Sequence, residues 1–339
     1  MNKIVIVGSG SIACRHLAAI REVFPKCEVM ILRRFKDEKK IPQVEHIVYA
    51  VEDALNFMPD LAIIATPASE HLTMAKSFAH DGIPLLIEKP LSNNTEGVLE
   101  FLKYCKENSV FVRVGYNLRY LDSLRIFREM CLDKVLGSIV SIHSTAGQYL
   151  PDWRPDQDYK NGVSAQAKLG GGVLLELSHE IDYILWIFGD IRWVRSTHAR
   201  KSDLLLDVED SVHLVMGIEQ KSSDEVLIGT LNLDFIRRDR IRECVVICQN
   251  GSLKWNGDAN TILVHDLKKK KWKTVYRGRI SIIKSYVAQL KSINQDLLKF
   301  REKEEIDLYG FQVLEVIEAS RMSAPSGAQE QVRRYEFGP

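Results

Sequence analysis

No stretch of the 339 residues comes near a membrane-length apolar run, and the start, MNKIVIVG, has no basic segment ahead of a long apolar one. Neither a membrane span nor a secretory leader is expected. An excess of one charge is equally lacking: 46 Lys and Arg against 45 Asp and Glu leave a net charge of +1. That balance gives no reason to expect nucleic acid or a membrane surface as partner. The six cysteines, Cys14, Cys27, Cys105, Cys131, Cys244 and Cys248, form no CxxC and no Cys/His cluster with zinc spacing. No metal site is expected, and a reducing cytoplasm fits best. Cys244 and Cys248 fall on one face of a strand, where packing is their expected role. The run Lys268–Lys271 sits between two strands and reads as a solvated hairpin turn, not a nucleic-acid site.

The length is too great for one typical core, so two domains are expected. Over residues 1–120, strand and helix patterns alternate: KIVIVG, EVMIL, HIVYA, LAIIATP, PLLIE and VFVRVGYN are the strands. Amphipathic segments separate them, among them 69–82, which reads as a helix with Ser69 as N-cap and Gly82 at its end. Near-continuous apolar strands between such helices mean a parallel, doubly wound sheet covered on both faces. Residues 121–325 change pattern: after a helix near 121–131 the strands follow one another, and Leu231, Leu233 and Phe235 alternate with Thr230, Asn232 and Asp234. Such alternation marks an α+β domain whose sheet is antiparallel, with one apolar and one polar face. Two helices, 282–300 and 307–323, close it, the last packing back towards the first domain, and 326–339 reads as a loose polar tail.

Gly8, Gly10, Ser11, Ile12 and Ala13 lie in GSGSIA, between the first strand and the first helix. In that context a GxGxxA turn binds a dinucleotide: Gly8 permits the turn, Gly10 lets the backbone approach a pyrophosphate, and Ala13 keeps helix and strand close. The helix start supplies unpaired N–H groups to the phosphates. An NAD site usually carries an acid about 20 residues on, for the ribose hydroxyl. Here Arg33 and Arg34 stand at that point and the nearest acid is Asp37. Arginine pairs with phosphate in a fork, so NADP(H) is favoured and NAD(H) stays possible.

PLLIEKPLS ends a buried strand on Glu88, Lys89 and Pro90. The carboxyl edge of a doubly wound sheet borders the ligand crevice. A lysine there can hold a reacting hydroxyl and stabilise oxygen charge as hydride leaves carbon, and the proline fixes the turn that aims it. In GGGVLLELSHEIDYILWIFG, Glu176, His179 and Asp182 follow at spacings of three, which would place them on one helix face. A histidine oriented by a carboxylate can take the hydroxyl proton.

With GSGSIA, ATPASEH, IEKP, GYNLR, GGGVLLELSHEID and VED in this order, the chain resembles the glucose–fructose oxidoreductase and inositol dehydrogenase (Gfo/Idh/MocA) family over nearly its whole length. The resemblance implies a Rossmann domain followed by an α/β domain with an open, mainly antiparallel sheet. It also implies oxidation or reduction of a carbinol carbon on a sugar, cyclitol or related compound, and self-association as a dimer or tetramer. Ala65, Thr66, Pro67 and His71 would line the cofactor, Glu88 and Lys89 would lie at nicotinamide and substrate, and Asn117 and Arg119 would border the pocket. Matched to the family's pattern, His179 is the acid/base. Leu175 stands where the family carries an Asp four residues before that histidine, so either Glu176 or Asp182 is the orienting carboxylate.

The loop 148–168 carries Tyr149, Trp153, Arg154, Lys160 and Lys168 and should cover the substrate. Aromatic faces suit a sugar, and the cations suit a carboxylate or phosphate, so an anionic sugar is expected. Two readings compete with a dehydrogenase: a redox-neutral lyase or glycosidase that restores its cofactor in each cycle, and a non-catalytic NADP-binding regulator.

Overall fold

The computed structural model describes residues 1–36, 41–220, 225–267, 270–303 and 308–335. Asp37 and part of the Lys268–Lys271 run lie outside the described residues. The chain divides into two compact units, one formed by Met1–Asn117 with Ser281–Phe311, the other by Leu118–Ile280 with the stretch from Gln312 onward.

In the first unit, β1 (Lys3–Val7), β2 (Glu28–Leu32), β3 (His46–Val48), β4 (Leu61–Ile64), β5 (Leu85–Ile87) and β6 (Val112–Val114) form a parallel sheet in the order β3-β2-β1-β4-β5-β6. The residues of β4 and β5 are all buried, which is why these strands read as unbroken apolar runs. Helices α1 (Ser11–Val23), α2 (Val51–Asn56), α3 (Ala68–His80) and α4 (Val98–Glu107) connect them. The strand order reverses between β1 and β4, which sets a ligand crevice at their carboxyl ends. Ser69 does not cap α3: the helix starts at Ala68 with Pro67 as its boundary residue, a place where proline costs nothing because no intrahelical N–H is required. Gly82 follows the helix with φ +69°, the left-handed stop expected of it.

Helix α8 (Ile282–Lys303) belongs to this unit, not to the second domain in which the sequence reading put it. Tyr286, Val287, Leu290 and Ile293 are buried in one cluster with Leu17 and Ile20 of α1 and with Ile4 and Ile6 of β1. Full burial of such a side chain stabilises by roughly 1.5–3 kcal/mol, and four of them outweigh sequence order.

The second unit contains α5 (Asp122–Leu132), β7 (Ile139–Gly147), α6 (Val173–Glu176), α7 (His179–Phe188), β8 (Asp190–Ala199), β9 (Ser211–Glu219), β10 (Val226–Asp234), β11 (Ile241–Cys248), β12 (Gly251–Asn256), β13 (Thr261–Asp266) and β14 (Lys271–Arg277). With β15 (Glu330–Gln331) these strands build a sheet in the order β14-β13-β12-β11-β7-β10-β9-β8-β15. Every pairing in it is antiparallel except β7 with β10. Leu231, Leu233 and Phe235 are buried, while the opposite face carries cross-strand polar pairs such as His143 with Thr230 and His213 with Asn232.

Helix α9 (Tyr309–Ser326) starts within the first unit's share of the chain, but from Gln312 it counts with the second, where Ser320 and Ser323 bond to Ser196. The tail is not loose over its described part. Glu330 and Gln331 pair with Val194 and Trp193, Val332 donates to the Arg192 carbonyl at 2.8 Å, and Arg334 pairs with Asp190. An edge strand such as β8 leaves backbone groups unpaired, and the tail satisfies them. All six cysteines are free thiols, and among the described residues no helix is long and apolar enough to cross a membrane.

Candidate functional site

At the carboxyl edge of the first sheet, Gly8 has φ +114°, and a Cβ there would meet the Ala65 carbonyl oxygen at 2.6 Å. Only glycine lets β1 turn this close to the end of β4. Gly10 bounds α1 with no side-chain cap, and a Cβ there would touch nothing within 4 Å. The first-turn N–H groups, which have no intrahelical acceptor, thus open onto space beside the glycine. Ala13 is buried against the sheet, Ser11 is exposed and Ile12 half-buried. Thr66, half-buried like Ala65 and Pro67, has its hydroxyl oxygen buried without a hydrogen-bond partner among the described residues. These features fit the pyrophosphate of a dinucleotide: free donors, an open approach and a polar atom awaiting a partner.

The two arginines at the end of β2 part company. Arg33 is 3% exposed, whereas the Arg34 side chain is 71% exposed and pairs with Glu70 at 2.6 Å. Of the two, Arg34 alone stands at the surface. His71 lies behind these strand ends. It is buried, with Nδ1 2.7 Å from the Pro90 carbonyl and Nε2 2.8 Å from the Thr66 carbonyl. Burial holds it below its ordinary pKa, against the opposing pull of the two carbonyls. At neutral pH the imidazole donates to one of them and joins the strand-end loops after β4 and β5.

The Lys89–Pro90 peptide bond is cis. Lys89 is half-buried, and Glu88 is 5% exposed. The Glu88 Oε1 lies 2.6 Å from His16 Nε2, and its Oε2 accepts from the Lys89 backbone N–H at 3.2 Å. Glu88 is thus turned towards α1. His16 did not stand out in the sequence, although it follows Ala13 by three on the sheet-facing side of α1 and is 2% exposed. A polar residue on an otherwise apolar helix face is the signal that could have found it. Asn117 donates its side-chain N–H to Ser285 Oγ on α8 at 2.8 Å.

In the second unit the glycine segment is packed to the limit. A Cβ on Gly171 would meet the Val163, Ser164 and Gln166 carbonyls at 2.3, 2.8 and 2.9 Å. Glu209, of the VED motif, accepts the Leu174 N–H at 3.0 Å, and burial pushes its carboxyl above the ordinary value. Glu176, His179 and Asp182 do not share one helix face, because α6 ends at Glu176 and α7 starts at His179. Glu176 and His179 are half-buried; Asp182 is fully buried. Arg119 binds Asp182 in a fork, with Nε at 3.1 and 2.9 Å from the two oxygens and Nη2 at 2.6 Å from Oδ1. Arg119 is thereby an anchor of α7. On the other side of α7, Arg242 Nε donates to the buried Glu180 at 2.6 Å.

The loop after β7 folds through short turns onto the glycine segment, with the Gly172 N–H on the Ser164 carbonyl. Tyr149 lies under the Arg238 guanidinium at 3.4 Å. Trp153 sits edge-on to Phe235 at 5.2 Å and donates to the Gln148 carbonyl, which fixes its ring within the loop. Arg154, Lys160 and Lys168 are exposed. No group of His, Cys, Asp and Glu among the described residues is arranged to hold a metal.

Residues 2–116 match the profile of an oxidoreductase family with an NAD-binding Rossmann fold, and residues 124–254 match the GFO/IDH/MocA C-terminal domain. The levoglucosan dehydrogenase of Pseudarthrobacter phenanthrenivorans is 26% identical over 207 residues, which are 59% of this chain and 50% of that protein. The chain spans about half the length of the curated relatives it matches. A solved levoglucosan dehydrogenase in complex with NADH superposes with TM-score 0.82 at 17% identity, covering 98% of this chain and 100% of that one. The WlbA dehydrogenase of Bordetella pertussis, solved with NADH and UDP-GlcNAcA, gives 0.78 at 18% identity over 98% of this chain and 99% of that one. A phosphate-ready glycine turn and two family profiles that together span most of the chain lead to one assignment: this protein belongs to the GFO/IDH/MocA family of oxidoreductases.

Proposed function

We propose that the protein interconverts a secondary alcohol and a ketone on a sugar, sugar acid, cyclitol or nucleotide sugar, with a nicotinamide dinucleotide as redox partner. The observation that carries this is Lys89. It stands at the end of β5, its backbone held by Glu88 and, through Pro90, by His71. An ammonium group fixed there stabilises negative charge on a reacting oxygen. His179, at the first position of α7, exchanges the hydroxyl proton as general acid or base. The nicotinamide, when bound, supplies the hydride acceptor or donor. The turn Gly8–Ala13 holds the pyrophosphate, and the exposed Arg34 favours NADP(H) over NAD(H) by offering its fork to a ribose phosphate.

Exposed Arg154, Lys160 and Lys168 support an anionic substrate, in keeping with the nucleotide sugar acid bound to the WlbA neighbour. Six free thiols support a reducing cytoplasm. The open sheet face, with Val215 and Ile228 exposed at 40% and 43%, supports self-association as a dimer or tetramer.

The test follows reduced-nicotinamide absorbance with NAD⁺ and NADP⁺ against sugars, sugar acids, cyclitols and nucleotide sugars. Turnover is expected with one class, reduced roughly 10²–10³-fold in Lys89→Met while cofactor binding persists. Turnover that survives in Lys89→Met overturns the assignment of Lys89. Cofactor retained through purification, with no net absorbance change on any substrate, favours the redox-neutral reading instead.

A further inference from the structure

A buried carboxylate needs a partner, since an uncompensated charge out of water is among the costliest features a core can hold. Glu88 could have met that need with Lys89, its chain neighbour, or with a surface arginine. Instead its Oε1 meets His16 Nε2 at 2.6 Å, 72 residues away in sequence, and both side chains are almost wholly buried. His16 is itself enclosed. The ring of Tyr286 from α8 packs edge-on against it, 5.0 Å between centroids. The Tyr286 hydroxyl is tied by Arg15, the residue preceding His16. Burial first, and the charge of Glu88 second, push that phenol well above its ordinary range, so it stays protonated. From the opposite side, a Cβ on Gly115 would lie 3.1 Å from the Glu88 Cα, Cδ and Oε1, so the absence of a side chain there leaves the carboxylate its room.

The second oxygen decides what this arrangement does. Glu88 Oε2 receives the backbone N–H of Lys89. A hydrogen bond from α1 is therefore passed, through one rigid carboxylate, to the peptide plane from which the Lys89 side chain leaves. His16 lies on the same helix whose N-terminus forms the dinucleotide turn, one turn along from Ile12 and Ala13. We propose that His16 is a positioning residue, whose Nε2–H fixes Glu88 and so sets the direction of the Lys89 ammonium relative to the dinucleotide turn. Among the described residues, the titratable and charged groups facing Glu88 are His16 on α1, Tyr286 on α8, which Arg15 holds, His71 on α3 and Lys89 itself. This role rests on the proposed oxidoreductase chemistry of Lys89.

The test contrasts His16→Gln with His16→Asn. Glutamine carries an N–H donor about as far out as the imidazole Nε2; asparagine carries it one bond short. The expected result is a kcat about 10- to 100-fold lower in H16N, the size of loss a roughly 1 Å misplacement causes. NADH and NADPH affinities, read by nucleotide fluorescence well below the melting transition, should stay near wild type; the melting temperature should fall in H16N, where buried Glu88 loses its donor, and recover in H16Q. H16Q should recover most of kcat. Glu88→Gln checks the same link from the acceptor side, since its amide cannot accept from both His16 and the Lys89 N–H as the carboxylate does; a kcat loss with nucleotide affinity kept is expected there too. Equal activity in H16N and H16Q, wild-type activity in H16N, or nucleotide affinity lost in step with kcat would each overturn the role. A wild-type protein without turnover sinks the enzyme reading and this role with it. A wild-type protein that turns over but ignores H16N sinks only the role.

Discussion

Both units bury acids, but they hold them differently. In the first, Glu88 is met by an imidazole. In the second, Asp182 and Glu180 are met by the guanidinium groups of Arg119 and Arg242. Glu180 and Asp182 are two residues apart on α7, about 200° around the helix, so their arginines grip it from opposite sides. A guanidinium keeps its charge at any pH at which a protein stays folded and can fork onto both carboxylate oxygens, whereas an imidazole nitrogen offers one directed donor to one oxygen. The second unit therefore uses acids to fix a helix whatever the conditions, and the first uses one to aim a single side chain. Rigidity is bought with permanent charge, and orientation with a donor that has a direction.

The largest effect that would break this comparison comes from Arg119→Met. It leaves Asp182 buried without its fork, and a loss of about 3–5 kcal/mol in urea unfolding is expected. A loss below about 1 kcal/mol would mean that α7 does not depend on this grip. Next is the Glu180–Arg242 pair, probed by a double-mutant cycle with Glu180→Met and Arg242→Met. Each single change should destabilise more than the double, with a coupling of about 2–3 kcal/mol; a double variant as unstable as the sum of the singles would remove the pair from the comparison.

The smallest effect concerns His198, which bonds Ser320 Oγ at 2.9 Å. Burial first, then nearby Arg321, lowers its pKa from 6.5 to about 4. The folded protein binds fewer protons than the unfolded one between those values, so stability is full above about 6.5 and declines as pH falls towards about 4. The decline attributable to this group is about 1–2 kcal/mol, reduced because part of the ring meets water. Unfolding curves at pH 7 and pH 5 for wild type and His198→Gln should converge at the lower pH. A wild-type slope that persists in His198→Gln would place the pH sensitivity of the second unit elsewhere.

Local patterns made most of the scaffold readable. The apolar runs of β1, β2, β4 and β5 and the alternation in β10 left little choice of element. What escaped was short or polar. Helix α2 has six residues and no side-chain cap. Strand β8 carries Arg192, Arg195 and His198 among its apolar positions. Strand β12 pairs with β11 across the two-residue turn Gln249–Asn250, which lacks the Asn-Gly loop of the strongest hairpin signal. At the candidate site, the backbone devices were legible: the turn at Gly8, the strand end at Lys89, the glycines before α6. The side-chain pairs were not, because His16–Glu88 and Arg119–Asp182 join residues 72 and 63 apart, and nothing in a local window reports so distant a partner. The same limit explains Arg33 and His71, residues of suitable chemistry whose side chains the fold turned inward.

The parallel pair β7–β10 has a bearing on where such a scaffold tolerates insertions. In a hairpin, loop length sets strand register, so inserting a residue can turn every side chain to the wrong face. Between β7 and β10 the chain instead makes a long crossover, which carries the loop 148–168, the glycine segment, α7, β8 and β9. The register of Thr230 on His143 and Leu231 on Ser144 is set by the two strands' own side chains, not by the connection. Residues can be added to or removed from 148–168 without shifting the sheet beneath, leaving this loop open to variation while the framework under it stays the same.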